Sequence, residues 1–293
     1  MSNTGSRTGT KDNPRVPHRK KAAERKSTRC SQKKSDIKKS DIRHLPVSLP
    51  PKHPPTMASA AIGSVYLIPC FIDEENLQPL PAYLLDAVKE CQVFFVENER
   101  SARRFLKQLW KEMVIDNYEW HTIHKAEAEI KESFKKALQR GLTIGIISEA
   151  GCPGVADPGQ LLVEAAHGMG AAVKPLVGPS SILLALMASG MNGQRFQFVG
   201  YIPIDNAERN RVLKELENES AKKQCTQIFI ETPYRNNQLL ETMCKVLQPG
   251  TRLCIAADIT GAGEYIKTAT IAGWKNKLPD IHKRPAIFLI LAG

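Results

Sequence analysis

Short apolar runs alternate with amphipathic helical segments from residue 63 to the end of the chain. The runs Val65–Ile68, Gln92–Val96, Thr143–Ile147 and Ala172–Leu176 predict strands. Between them, segments such as Ala128–Gln139 space their apolar residues as one face of a helix does. Strands that alternate with helices indicate βαβ units on parallel or mixed sheets. The sequence therefore predicts an α/β fold.

The same alternation continues in the second half of the chain. Its strand candidates are Gln197–Val199, Thr226–Ile230, Leu253–Ala257, Ala286–Leu291 and a hairpin strand at Glu264–Thr268. An apolar helix predicted to end near Gly190 is followed by a polar segment at Asn192–Arg195. We place the boundary between two α/β domains there, which gives an N-terminal domain at 63–192 and a C-terminal domain at 193–293.

The first 56 residues carry the net charge of the chain. They contain fifteen Lys and Arg and four Asp and Glu, so their charge of +11 equals that of the whole chain and the remainder is formally neutral. Low aromatic content and a high charge predict a disordered basic tail at 1–56. We interpret it as a solvated extension; a nucleic-acid-binding arm and a transit peptide are the alternatives.

The cysteines and the apolar runs limit the class of protein further. Seven cysteines are scattered without a C-x-x-C pair, so no zinc site or other metal site is predicted. Unpaired cysteines favour a reducing cytoplasmic location. No apolar run reaches the roughly 18 to 20 residues that a transmembrane helix needs, and no signal peptide is predicted. We therefore expect a cytoplasmic protein that does not enter a membrane.

The segment Ser148–Gly159 is the strongest functional motif. It follows the strand Thr143–Ile147 directly, and it contains four glycines and prolines between Gly151 and Pro158 before it ends at Gly159. Ligands of open α/β sheets bind outside the carboxyl ends of the strands, where glycines let a ligand approach the backbone. The pair Asp157-Pro158 predicts the start of the next helix.

Two further loops follow strands in the same way. Val177–Ser181 comes after Ala172–Leu176, and Glu231–Arg235 comes after Thr226–Ile230. The chain has neither a Rossmann G-x-G-x-x-G fingerprint nor a Walker-type phosphate loop. The three loops therefore predict a ligand cleft of a different design.

In their order and spacing, Ser148–Gly159, Gly178–Ser181 and Glu231–Arg235 resemble the tetrapyrrole methylase superfamily. Within it they are most similar to the ribosomal RNA small subunit methyltransferase I branch, which methylates a ribose 2′-hydroxyl. The resemblance covers about Ser64–Gly293. It implies two α/β domains with S-adenosylmethionine in the cleft between them, a homodimer, and ribosomal RNA or the small ribosomal subunit as partner.

The resemblance also implies a set of cofactor-binding residues in four segments. These are Ala150, Gly151 and Cys152 at the methionine end of the cofactor, Ser180 and Ser181 in the second loop, Glu231 and Thr232 near the adenosine, and Pro285 and Ala286 on the last strand.

Catalytic and substrate-binding candidates follow from the same resemblance. Glu97 and Arg100 are similar to the end of the Glu-Asp-Thr-Arg motif of the family, and His124 falls where the branch has a histidine. A ribose hydroxyl is weakly acidic, so a base must take its proton during attack; Glu97, His124 and Asp258 are the candidates. Arg100 and Arg235 are the predicted substrate-binding residues.

Two segments depart from the branch. Pro69–Asp73 stands where it has a Thr-Pro-Ile-Gly-Asn loop, and Ala257–Gly261 replaces its Arg-Glu-Leu-Thr-Lys motif. The loss of the arginine and the lysine of this motif leaves two alternatives to methylation of ribosomal RNA. One is methylation of a tetrapyrrole or another small molecule; the other is a non-catalytic relative that binds the cofactor or RNA. The basic residues Arg100, Arg103, Arg104 and Lys107 are either an RNA-binding patch or a solvated helix face.

Overall fold

Two five-stranded sheets make up the framework of the described part of the chain. The structure is a computed structural model that describes residues 61–74, 76–123 and 127–293. The predicted tail at 1–56 lies outside these residues, and so does His124.

The first sheet is entirely parallel. Its strands are β1 (Ser64–Leu67), β2 (Val93–Val96), β3 (Glu119–Thr122), β4 (Thr143–Ile147) and β5 (Ala172–Pro175). They lie in the order β3-β2-β4-β1-β5. All four residues of β2 are buried, as expected for an inner strand that is covered on both faces. The carboxyl ends of the five strands meet at one edge, where the predicted ligand loops leave the sheet.

Helices cover both faces of this sheet. They are α1 (Leu84–Glu90), α2 (Glu99–Leu109), α3 (Glu127–Gln139) and α4 (Gln160–Gly168). The apolar sides of α1 and α2 pack with Ile68 and Phe94 on one face, and those of α3 and α4 pack with Phe95 and Ile146 on the other. Asn98 caps α2 by accepting hydrogen bonds from the N–H groups of the next turn.

The second sheet is mixed. Its strands are β6 (Phe196–Tyr201), β7 (Thr226–Ile230), β8 (Arg252–Ala257), β9 (Tyr265–Thr270) and β10 (Ala286–Leu291), in the order β6-β7-β10-β8-β9. Only the β6–β7 pair is parallel among these neighbours. The observed architecture confirms the predicted α/β class.

The helices of the second half separate into two groups. The helix α5 (Ser181–Ser189) packs one face of the sheet through Ile182, Ala185 and Leu186. The other face is covered by α6 (Asn206–Lys223), α7 (Asn236–Val246) and α8 (Ile271–Trp274). The predicted boundary between 192 and 193 falls in the segment between α5 and β6. The two domain ranges stay a prediction.

One predicted helix start is wrong. The helix α4 begins at Gln160, its N-cap residue is Gly159, and Asp157 makes no cap to it. Gly159 has a φ of 124°, a conformation that glycine adopts without strain. Asp157 is therefore part of the preceding loop and not a cap of α4.

None of the described helices is long and apolar enough to cross a bilayer. Within the same residues, no group of His, Cys, Asp and Glu side chains is arranged to hold a metal ion.

Candidate active site

A cleft runs between the loops at the carboxyl edge of the first sheet and one edge of the second sheet. It consists of two adjoining cavities of about 170 and 320 Å³. Both are lined by Ala150 and Ser181 from the first two predicted loops and by Tyr201, Ile230 and Ile287 from the second sheet. The strand ends that the sequence singled out therefore lie around one space.

The loop after β4 is fixed by backbone hydrogen bonds to the loop after β1. The N–H of Gly151 donates to the carbonyl of Phe71 at 3.1 Å, and the N–H of Cys70 donates to the carbonyl of Gly151 at 2.9 Å. Gly151 has a φ of 69°. The segment Pro69–Asp73, which departs from the family pattern, thus still supports the predicted cofactor loop, and its Ile72 lines the larger cavity.

Two cysteines tie the loops together. Cys152 donates from its thiol to the carbonyl of Pro179 at 3.3 Å, and Cys70 donates to the carbonyl of Ser148 at 3.3 Å. Burial raises the pKa of Cys70 to about 12 and also raises the pKa of Cys152. Both side chains therefore stay as thiols near neutral pH, where they hold loops in place and are poor nucleophiles.

Eight of the nine predicted cofactor-binding residues line the two cavities. They are Ala150, Gly151, Cys152, Ser180, Ser181, Glu231, Pro285 and Ala286. The ninth, Thr232, contributes its backbone N–H to Glu231 at 2.6 Å. Ser180 is the N-cap residue of α5, yet its hydroxyl makes no capping hydrogen bond. This hydroxyl is thus available to a ligand at the start of the helix.

Glu231 places a buried carboxylate with one unpartnered oxygen at the cleft. Its side chain is fully buried, and its Oε1 accepts hydrogen bonds from Thr232 N and from Arg235 Nη2, each at 2.6 Å. Its Oε2 is buried without a partner in the described residues. A buried charged acceptor without a donor is costly, so a ligand that brings a hydroxyl, amine or ammonium group is favoured here. S-adenosylmethionine carries all three, and its adenine suits the apolar walls of Ile230 and Ile287.

A second carboxylate, Asp157, lines the smaller cavity together with Gly151 and Ser180. Burial is the largest of the effects that raise the pKa of Asp157 to about 6; the charge of Glu97 raises it further, while a hydrogen bond from Ser148 lowers it. An acid with a pKa near the working pH can both take and release a proton. The sequence pattern had assigned this side chain to a helix cap.

The predicted base candidates are not gathered at one point. Glu97 follows β2, accepts a hydrogen bond from the N–H of Glu149 at 2.9 Å, and lies near enough to Asp157 to raise its pKa. Asp258 lines a separate open pocket of about 520 Å³, where its Oδ2 accepts from Arg284 Nε at 2.6 Å. His124 is not among the described residues.

The two predicted substrate-binding arginines have different surroundings. Arg100 is exposed at the start of α2, and no carboxylate pairs with it in the described parts of the chain. Arg235 is bound to the buried Glu231. Of the other basic residues on α2, Arg103 pairs with Glu99 and Arg104 pairs with Glu74. Arg100 therefore stands out as the available cation on this helix.

Several lining residues were not predicted from the sequence. They are Asp157, Ile72, Phe198, Tyr201, Ile230, Ala256, Ile259 and Ile287. In the sequence, the apolar residues among them are indistinguishable from other strand and loop residues. Only the folded structure shows that they lie at strand ends that border the cleft.

Comparison with known proteins agrees with this geometry. The family model for Tetrapyrrole (Corrin/Porphyrin) Methylases matches residues 77–273. The ribosomal RNA small subunit methyltransferase I of Bacillus subtilis is 30% identical over 220 residues, which cover 74% of this chain and 71% of that protein. Its counterpart from Halalkalibacterium halodurans is 31% identical over 214 residues, 71% of this chain and 68% of that protein.

The fold has a solved counterpart. The crystal structure of the methyltransferase CobJ matches 79% of this chain and 95% of its own, with a TM-score of 0.52 and 17% sequence identity. The family model and the two relatives show that the chain belongs to the tetrapyrrole methylase family. It is a methyltransferase, and its methyl donor is S-adenosylmethionine. The predicted family, enzyme class and cofactor are confirmed.

Proposed function

We propose that this chain methylates a ribose 2′-hydroxyl in the RNA of the small ribosomal subunit. The observation that carries the proposal is the 30% identity, over about three quarters of the chain, to proteins named ribosomal RNA small subunit methyltransferase I. The cleft supports the proposal. Glu231, Ser180 and the loop at Gly151, which the resemblance assigns to the cofactor, line the same two adjoining cavities.

S-adenosylmethionine supplies an electrophilic methyl group when it is bound. The chain would align the reactants: the Gly151 loop would hold the methionine end of the cofactor, Ser180 would bind the cofactor from the second loop, and Glu231 would hold the nucleoside end. Asp157 is the proton acceptor, because it lines the same cavity as Gly151 and Ser180. When the methyl group passes from the sulfonium sulfur, which leaves as a neutral thioether, to the ribose oxygen, the hydroxyl proton would go to the Asp157 carboxylate. Glu97, beside Asp157, holds that proton more firmly by raising its pKa.

A cation lies beside the altered segment Ala257–Gly261, which lacks the arginine and the lysine of the family motif. Arg284 donates from Nε to Asp258 and from Nη2 to the carbonyl of Gly263, both at 2.6 Å. We propose that Asp258 is a positioning residue for this arginine. Its Oδ2 is occupied by the arginine, which makes it a poorer base candidate than Asp157.

We further propose that the chain is a cytoplasmic homodimer. On the outer side of α5, Leu183 is 50% exposed and Met187, one turn later, is 79% exposed. Two adjacent exposed apolar side chains of this size favour burial against a second copy. The six cysteines of the described residues are all free, which fits a reducing compartment.

The function is tested with purified full-length protein and tritiated S-adenosylmethionine. Small ribosomal subunits from a strain that lacks the gene should accept the label, and subunits from the parent strain should not. A 2′-O-methyl map should then show one site lost in the deletion strain. Identical maps, together with label in a tetrapyrrole or another small molecule, would replace RNA by that substrate and leave the family and cofactor unchanged.

Arg100 should matter for the RNA and little for the cofactor. We expect Arg100→Ala to lower methyl transfer to small subunits by about 10-fold or more, because loss of a charged hydrogen bond costs about 1.5–3 kcal/mol. Affinity for S-adenosylmethionine, measured by calorimetry, should change less than about twofold. Arg104→Ala is the matched control on the same helix, since Arg104 is already paired with Glu74. Equal losses in both variants would show a general charge effect and no specific role for Arg100.

A further inference from the structure

An exposed aromatic group with a cation beside it lies at the rim of the cleft. Tyr234 is 70% exposed, and it follows Pro233, a residue of the larger cavity. The ammonium of Lys283 lies 5.8 Å from the centre of the Tyr234 ring. The ring of His282 meets it edge-on at 6.0 Å. Tyr234, His282 and Lys283 are called the rim platform below.

Several hydrogen bonds hold the loop that carries the rim platform. Buried Asn236 donates from Nδ2 to the carbonyl of Arg284 at 2.6 Å, and Asn237 accepts at Oδ1 from the N–H of Ile281 at 2.9 Å. The N–H of Lys283 donates to the carbonyl of Pro233 at 3.0 Å, although the backbone of Lys283 has a φ of 63°. A non-glycine residue in this conformation is strained, so the surrounding hydrogen bonds hold it there. The loop thus presents two exposed side chains beside Tyr234 at a conformational cost.

The charge of the platform is also unbalanced. Lys283 has no carboxylate partner among the described residues, whereas the neighbouring Arg235 and Arg284 are paired with Glu231 and Asp258. An exposed ring beside an unpaired cation suits the two parts of a single-stranded nucleotide. The base stacks on aromatic rings, and the phosphate binds cations. Tyr201, a second exposed aromatic residue at 64%, lines both cavities of the cleft.

We propose that the rim platform stacks an unpaired base of the RNA substrate and so delivers the neighbouring ribose to the cleft. This inference rests on the proposed function, because it takes the substrate to be RNA. Tyr234 supplies the stacking surface, and Lys283 binds the adjacent phosphate. The RNA is bound in a single-stranded form, since a base inside a duplex cannot reach the ring.

The test uses full-length protein and a fluorescein-labelled single-stranded RNA of about 12 nucleotides, a length within the range that one such site covers. Tyr234→Ala should weaken binding in fluorescence anisotropy by about 5- to 150-fold, the range found for loss of one stacking ring. Tyr234→Phe keeps the ring and should bind like the unchanged protein. Lys283→Ala should reduce the slope of log affinity against log salt by about 0.7, as for one lost phosphate contact.

Lys267→Ala is the matched cation control. Lys267 also lies over an aromatic ring, at 5.1 Å from Trp274, but that ring is buried and β9 is at the far edge of the sheet. Its removal should leave the salt slope unchanged. Calorimetry with S-adenosylmethionine should give the same affinity for all four variants.

Three results would overturn the platform. One is Tyr234→Ala with unchanged RNA affinity. Another is an equal loss of RNA affinity in Tyr234→Phe, because binding would then depend on the hydroxyl group and not on stacking of the ring. The third is conversion of a dimer to a monomer by Tyr234→Ala in sedimentation velocity, which would make the ring a protein contact. If RNA binding depends on Tyr234 but small subunits take no methyl group, the platform stands and the proposed ribosomal substrate falls.

Discussion

Gly151→Val is expected to abolish binding of S-adenosylmethionine. Gly151 has a φ of 69°, a region in which a β-branched residue is strained, and a Cβ atom there would lie 3.2 Å from the carbonyl oxygen of Pro179. The loop cannot shift to relieve this contact without breaking the two backbone hydrogen bonds that join Gly151 to Cys70 and Phe71. The valine methyl groups would also occupy the smaller cavity, which Gly151 lines.

Gly154→Val is the matched control for backbone strain. Gly154 lies in the same loop with a φ of 78°, but a Cβ atom there has no neighbour within 4 Å. Both variants should lose about 1–2 kcal/mol of stability to the left-handed backbone, and Gly151→Val should lose more because of its contact with Pro179. Only Gly151→Val should lose the calorimetric binding signal, by more than about 100-fold in affinity, or over ~2.7 kcal/mol. Normal binding by Gly151→Val would show that the cofactor lies elsewhere.

The sequence was most informative about the strands and about the loops that follow them. The strands β4, β7 and β10 have the predicted bounds, and the loops after β4 and β7 line the cleft, as expected for loops that follow strand ends. Such features depend on local residues alone. Glycine and proline limit the backbone wherever they stand, and a run of buried apolar residues predicts an inner strand without knowledge of its neighbours.

Features that depend on a distant partner were not predictable. The edge strand β3 reads Glu119-Trp120-His121-Thr122, which has neither an apolar run nor clear alternation. It is held by β2: Trp120 stacks on Phe94 and His121 stacks on Phe95, at ring-centre distances of 4.9 and 4.5 Å. These contacts exist only once the sheet has formed, so tertiary packing outweighs the weak local signal.

The charged residues of the site show the same limit. Arg235 was predicted to bind the substrate, yet it forms an ion pair with Glu231 four residues earlier. Asp258 was a base candidate, and Arg284 from a separate segment binds it. Residue type and spacing indicate which chemistry a side chain is capable of. Its neighbours in the folded chain determine whether it is available to a ligand or already paired. Asp157 is the opposite case, because a residue that looked like a helix cap faces the cleft.

Asp157→Asn is expected to lower methyl transfer by about 100- to 10,000-fold, the range for loss of a general base. Asparagine has a similar shape, so affinity for S-adenosylmethionine in calorimetry should change only a few-fold. Asp86→Asn, which changes an exposed carboxylate in the first turn of α1, is the control and should be fully active. If Asp157→Asn transfers methyl groups at the normal rate, another group takes the proton and Glu97 becomes the next residue to replace.

The pH dependence gives an independent check on Asp157. Its pKa of about 6 in the folded chain exceeds the usual value of 3.8, so the folded state holds this proton more tightly than the unfolded state. Between about pH 4 and 6 the unfolded chain ionises first, and the contribution of Asp157 to the unfolding free energy therefore falls as the pH rises. Asp157→Asn should remove this effect: its melting temperature should equal that of the unchanged protein below pH 4 and exceed it above pH 6. The rate of the unchanged protein should rise through pH 6 as the base loses its proton, and a rate that is flat across that range would contradict the assignment even if the stability difference appears.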